Sequence, residues 1–218
     1  MSYVTFKADA IDHQQAYRML IGSIVPRPIA WVSSISNEGV PNLAPFSFFT
    51  MVSHYPPMVS ISVGERERRM KDTAKNITDT KGYVIHTVVN GWEEKMNATS
   101  ANFAPDEDEF SKGNLETVSS DFVDAFRIAN APVAMECEFD RIIDFGSEWV
   151  THLVIGKILC WHVREDLIIE DKYIDPYKLA PVGRLGGPRY CRTQEIFEMT
   201  APYLQPDKLH PNEPPPEK

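Results

Sequence analysis

The chain has 218 residues, 43% of them hydrophobic and 24% charged, the make-up of a single folded domain with enough chain to bury a core. Its formal net charge of −9 disfavours a general role in binding nucleic acid or an anionic membrane surface. It has no run of 18 apolar residues and no basic-then-apolar leader, so neither a membrane span nor a secretory signal is expected. Three cysteines without a CxxC pair fit free thiols in a reducing cytoplasm.

In chain order, residues 12–22 read as a helix that Asp12 can cap, with Ala16, Met19 and Leu20 as its apolar face. Ile29 to Ile35 reads as a strand, Asn37-Glu38-Gly39 as a turn, and 41–49 as a returning strand interrupted at Pro45. A proline has no N–H for the ladder, so Pro45 marks an edge or a bulge. Met58 to Val63 alternates Val59, Ile61 and Val63 against Ser60 and Ser62, the period of a half-buried strand. Asp72 to Thr80 reads as a helix stopped by Gly82, Tyr83 to Val89 as a strand, and 92–103 as a further helix.

Residues 105–131 are polar and acidic and read as a long excursion with one or two short helices. Val133 to Ile143 and Val150 to Val163 are long strands, the second bent at Gly156. Cys137 and Cys160 lie in these runs and read as core residues. Residues 176–190 hold Pro176, Pro181, Gly183, Gly186, Gly187 and Pro188 and read as an ordered loop, and the tail from Pro202 as disordered or loosely attached. The domain plan is a lead-in over 1–20, one domain over 21–200 and a proline-rich tail over 201–218. Strands that follow one another without βαβ alternation argue for a mainly β fold, an antiparallel barrel with helical insertions.

Four segments carry candidate chemistry. Arg27 to Ser34 puts a guanidinium fork before a strand and two hydroxyls at its far end, a set able to serve a phosphate and a sugar chain; alone, Ser33 and Ser34 suit a strand surface equally well. Asn42 to Phe49 mixes apolar residues with a proline, Asn42 and Ser47. That mixture suits the wall of a flat, polar-edged aromatic ligand, with amides near 46 and 47 freed by the bend, or else a bulged barrel strand.

Between Gly64 and Lys75 five basic residues stand against three acidic ones, and the cluster runs into a helix start at Lys71-Asp72-Thr73. Helix N-termini offer free N–H groups and a positive dipole end to phosphate, whereas a solvated charged loop is the plain alternative. His152, at the head of a long strand, either faces a pocket as a donor or is a satisfied structural histidine. The other histidines have no ligand spacing with cysteines or carboxylates, so no zinc site is expected. Glu136, Glu138 and Asp106 to Glu109 read as surface charge. With no acid–base pair or nucleophile triad in view, a cofactor is left to carry any chemistry.

In this order, Arg27-Pro28-Ile29-Ala30-Trp31-Val32-Ser33-Ser34, Asn42-Leu43-Ala44-Pro45-Phe46-Ser47-Phe48-Phe49, Pro56-Pro57, Lys71-Asp72-Thr73 with Asn76, His152 with Gly156, and Pro181 to Gly187 with Tyr190 resemble the flavin reductase-like family of FMN-binding split β-barrels, most of all its flavoredoxin-type branch. The resemblance covers about residues 20–195. It implies an antiparallel split barrel, a homodimer, and FMN reduced by NADH or NADPH. It implies that Asn42, Ala44, Pro45, Phe46 and Ser47, on the strand beside Trp31, meet the flavin ring. It also implies that Ser33, Ser34, Lys71 and Thr73, with Arg27, hold the ribityl phosphate, that Trp31, Asp72 and Asn76 belong to the same cofactor site, and that His152 lies near the flavin or the nicotinamide. Two further readings stay open: an FMN electron carrier serving a redox partner protein, and a flavin-free scaffold of the same fold.

Overall fold

The computed structural model describes residues 1–199; the tail expected from Pro202 lies outside them. Helix α1 (His13–Ser23) is capped by Asp12, whose carboxylate accepts the Gln15 N–H at 2.7 Å. Then come β1 (Ala30–Ile35), β2 (Pro41–Phe46), β3 (Phe49–His54), β4 (Pro57–Gly64), α2 (Asp72–Thr80), β5 (Gly82–Thr87), α3 (Glu93–Ala98) and α4 (Glu109–Lys112). Short β6 (Thr117–Val118) and β7 (Arg127–Ile128) precede the long β8 (Val133–Phe145) and β9 (Thr151–Val163). The described chain closes with β10 (Ile168–Ile169), β11 (Tyr173–Ile174), α5 (Pro176–Leu179), β12 (Val182–Arg184) and β13 (Tyr190–Arg192). Among the described residues no helix is long and apolar enough to cross a membrane.

Seven strands form one antiparallel sheet in the order β2-β1-β5-β8-β9-β4-β3. Its two edge strands, β2 and β3, are consecutive in the chain, joined by Ser47 and Phe48. The fold is therefore the expected mainly β split barrel. The expected single strand over 41–49 is two strands meeting at this corner, and Pro45 sits within β2, on the edge of the sheet where a missing N–H breaks no second ladder.

Strand β1 is buried on both faces. Ala30 and Val32 join the barrel core with Val59, Ile61, Val63, Ala74, Ile77, Ile85 and Val154. Trp31 faces a second core with Leu43, Met96, Phe110, Ile128 and Val182. The second core exists because the 105–131 excursion packs down and buries Phe110 and Ile128 in it. Glu136 is fully buried rather than surface charge. It accepts the N–H groups of Asp121 and Phe122 at 2.9 and 2.7 Å, and His162 Nε2 lies 2.7 Å from it. The fold thus brings Glu136, Cys160 and His162 within 4.8 Å of one another, an association their sequence spacing does not suggest. Cys137 is buried as expected, while Cys160 is half-exposed.

Other departures are local. The helix expected over 92–103 is the shorter α3, and 176–190 contains α5 and the β12–β13 hairpin, tied back to the sheet side by bridges from Arg27 to Arg184 and from Val89 to Pro181. Gly156 lies under the Tyr83 ring: a Cβ there would stand 2.1 Å from the Tyr83 hydroxyl oxygen and 2.8 Å from the Glu138 carbonyl oxygen, so only glycine fits.

His86 latches the excursion to the sheet. Its Nδ1 is 2.9 Å from the Trp31 carbonyl oxygen, and its Nε2 accepts the Ile128 N–H at 3.0 Å. That pairing requires the neutral ring with its proton on Nδ1. Complete burial pushes its pKa from 6.5 down to about 4. The unfolded chain therefore takes up the proton first, and stability is lost as pH falls from 6.5 towards about 4. A loss on the order of 3 kcal/mol is expected, read as a falling urea midpoint, with the His86 ring signals in NMR not titrating above about pH 5.

Candidate functional site

The site grows from the free edge of β2. Leu43 pairs opposite Ser33 in the ladder, yet its N–H points off the sheet and is accepted by Glu109 Oε2 at 3.1 Å. Amide directions alternate along a strand. Pro45, two residues on, lies on the same outward side and has no N–H to leave unpaired; Phe46 points its N–H back towards β1. Of the two amides expected to be freed by the bend, only Ser47 lies beyond the ladder.

Behind this edge lies a buried polar network. Asn42 Nδ2 donates to Glu109 Oε1 at 2.8 Å, and Asn42 Oδ1 accepts from Thr73 Oγ1 at 2.7 Å and from Ser34 Oγ at 3.1 Å. Asn76 Nδ2 in turn donates to Ser34 Oγ at 3.3 Å. All five residues are buried. Glu109, read from sequence as surface charge, reaches this position because Asp108 caps α4 and Phe110 drives the helix into the second core. Burial pushes its carboxyl above the usual range, opposed by the bonds from Asn42 and Leu43.

Helix α2 begins beside the network. Its cap residue, Lys71, makes no side-chain cap bond, so the first-turn amides have no internal acceptor. Desolvation, and after it Arg66, hold the Lys71 ammonium below the ordinary lysine range. The preceding loop turns tightly, with Arg66 and Arg69 exchanging two backbone bonds of 2.9 Å around Glu67 and Arg68 at φ of 51° and 61°. Two non-glycine residues in the left-handed region are costly, and they hold the basic loop over the site.

Pro45 borders three adjoining hollows. One, of about 490 Å³, is lined among others by Asn42, Ala44, Phe46, Lys71, Thr73 and Glu109. A second, of about 720 Å³, adds Ser47, Phe48, Arg68 and Trp149. A third, of about 230 Å³, adds Arg27, Arg184 and Tyr190. These are ordinary sizes for a small-molecule site. Asp72 also lines the first hollow, together with Arg66 and Arg69 from the 64–70 turn and Phe103 from the segment before the excursion. His13 stacks on Trp149 at 4.4 Å and steadies that wall from α1.

Of the other sequence candidates, Arg27 borders the third hollow and the rest stand behind the walls. Trp31 is fully enclosed, its indole N–H donating to Thr99 Oγ1 at 2.8 Å. Ser33 Oγ donates to the Phe126 carbonyl oxygen, and Ser34 and Asn76 belong to the network. Arg27 spends its guanidinium on the chain: Nη1 donates to the Ile21 and Ile24 carbonyl oxygens at 2.9 and 2.8 Å, and Nη2 to that of Leu185 at 3.1 Å. His152 lines none of the three hollows. Its Nδ1 is 2.7 Å from Asp144 Oδ1, while its buried Nε2 has no hydrogen-bond partner and lies 3.7 Å from Glu65 Oε1. Its neighbours Val150 and Thr151 do line the second hollow.

The arrangement fits a flavin mononucleotide: an apolar strand edge bordered by hydrogen-bonding groups for a flat ring, and an uncapped helix start with Lys71, Arg66 and Arg69 for a phosphate. The sequence profile of the flavin reductase like domain matches residues 21–175. The uncharacterized protein YwrF of Bacillus subtilis (strain 168) is 37% identical over 201 residues, 90% of this chain and 98% of that one. The crystal structure of nitrilotriacetate monooxygenase component B from Bacillus cereus superposes with a TM-score of 0.88 at 32% identity, covering 91% of this chain and all of that one. That of the Pseudomonas fluorescens 2-nitrobenzoate 2-nitroreductase NbaA gives 0.84 at 34% identity, covering 93% and 98%.

Because Arg27 caps the end of α1 and ties down the 185 loop, Arg27→Ala leaves three carbonyl groups without their donor. It is expected to cost on the order of 2–4 kcal/mol of stability, measured by urea unfolding of the free protein. An unchanged midpoint with weakened ligand binding would return Arg27 to a ligand role.

Proposed function

The chain belongs to the flavin reductase-like family, and from that premise we propose that it is an FMN-binding oxidoreductase that takes electrons from NADH or NADPH and passes them to a flavin or another acceptor. One observation carries the reading: the two motifs that sequence alone left apart, the Asn42–Ser47 edge and the Lys71–Thr73 helix start, border the same group of hollows. When bound, the flavin supplies the hydride and electron chemistry. The chain's residues bind and orient it. Lys71, Arg66 and Arg69, with the first-turn amides of α2, hold the phosphate. The Ala44–Ser47 edge backs the ring, and Phe48 and Trp149 offer apolar contact in the neighbouring hollow.

Purified protein is expected to bind FMN with a shifted flavin spectrum, and NADH or NADPH under anaerobic conditions is expected to bleach it. Flavin binding without bleaching by either nucleotide would favour an electron carrier reduced by a partner protein; no flavin binding would leave a scaffold. Lys71→Ala is expected to weaken FMN about 10- to 150-fold and riboflavin little. Equal loss for both would remove Lys71 from the phosphate.

We propose that the working unit is a homodimer. Met51, Val52 and Tyr55, on and just after the edge strand β3, are 81%, 51% and 88% exposed. An apolar edge of this kind invites pairing with a like surface, and a second copy of the chain supplies one. Light scattering is expected to give twice the chain mass, and Tyr55→Arg to shift it towards one; a monomeric wild-type protein would overturn the assignment.

A further inference from the structure

Hydrogen-bond directions divide the 490 Å³ hollow into two kinds of surface. Glu109 accepts from Asn42 Nδ2 and from the Leu43 N–H, which fixes the Asn42 amide with its oxygen towards Ser34 and Thr73. Both lone pairs of that oxygen are then filled by hydroxyl protons. The single proton of Thr73 is committed inward, so towards the hollow its oxygen can only accept. The Glu109 carboxylate, which also accepts from its own backbone N–H, keeps one further acceptor position open. A phosphate, itself an acceptor, finds no donor in either side chain, and the carboxylate repels it. The donors lie elsewhere on the lining, at Arg66, Arg69 and Lys71.

We infer that Glu109, brought in by the excursion, is a positioning residue that makes the Thr73–Glu109 surface an acceptor for the hydroxyl-bearing chain of the ligand and consigns its phosphate to the Arg66–Arg69–Lys71 surface. The inference rests on the flavin reading above and sharpens it. The Thr73 hydroxyl, which the sequence assigns to the phosphate, meets the sugar-alcohol chain instead. Replacing Glu109 by glutamine puts an NH2 where one acceptor stood. Asn42 then turns its oxygen to that NH2 and its own NH2 towards Ser34 and Thr73, and the Thr73 proton is released to the hollow.

The test compares three probes: lumiflavin, which has the ring alone; riboflavin, which adds the hydroxyl chain; and FMN, which adds the phosphate. Dissociation constants are measured by fluorescence quenching for the wild type, Glu109→Gln and Lys71→Ala. Glu109→Gln is expected to cut the advantage of riboflavin over lumiflavin about tenfold while leaving the FMN-over-riboflavin advantage intact or raised. Lys71→Ala is expected to do the reverse. Should Glu109→Gln unfold, as judged by circular dichroism, Thr73→Val, which deletes the acceptor at constant shape, is expected to show the same chain-selective loss. A loss of the phosphate advantage in Glu109→Gln or Thr73→Val, or an unchanged riboflavin-over-lumiflavin ratio, overturns the inference while the flavin reading stands. A wild-type protein that binds none of the three probes overturns both.

Discussion

Strand β2 can be paired on one side only, and the site depends on that constraint. Its inner side is held by β1, while its outer side carries Leu43, whose N–H is taken by Glu109, and Pro45, which has none. An open sheet edge ordinarily recruits another strand. Here a carboxylate and a proline leave nothing at those two positions for a further strand to accept from, and the edge stays free to form the common border of three hollows. A pairing strand at this place would abolish the site.

Keeping the edge open requires Glu109 to be buried, and that requires the 105–131 excursion to fold against the barrel. Its attachments are distributed: Phe110 and Ile128 in the second core, the Asp121 and Phe122 amides on Glu136, and the Ile128 amide on His86. Strand β1 links this region to the barrel because it is buried on both faces. Its alternate residues therefore serve opposite ends: Val32 packs in the barrel core, whereas Trp31 and Ser33 face away from it, and their polar atoms find partners in Thr99, just after α3, and in Phe126 of the excursion. The same demand accounts for Arg27, which sits at the start of a motif suited to phosphate and yet satisfies the carbonyl groups of α1.

Electrostatics separates the two tasks of the pocket. The chain carries a net −9, so an anion binds only where local charge overrides the field. The Arg66–Lys71 loop does so, clasped by a turn whose backbone is itself strained at Glu67 and Arg68. Glu109 works in the opposite sense a few residues of pocket lining away. The proposed assignment sorts an anion and a hydroxyl chain by sign and by proton direction rather than by shape.

Much of this was readable in the order of residues. The alternation of Val59, Ile61 and Val63, the long apolar runs of β8 and β9, the proline that fits an edge strand but not a central one, and the basic run into a helix start depend on local chemistry, which sequence records directly. So do the motifs that place the chain in its family. What sequence could not supply was the partner of each polar group. Glu109 and Glu136 look like solvated charge because carboxylates usually are; only packing of the excursion buries them. Trp31, Ser33 and Arg27 look available because their acceptors, at Thr99, Phe126, Ile21 and Leu185, lie up to 158 residues away. Strand β3 was missed because a turn at Ser47 and Phe48 is decided by the edges it joins. The sequence by itself determined a β barrel with an interrupted strand and a basic helix start. The tertiary structure decided that these meet, and which way the protons between them point, because hydrogen-bond direction is set by long-range partners.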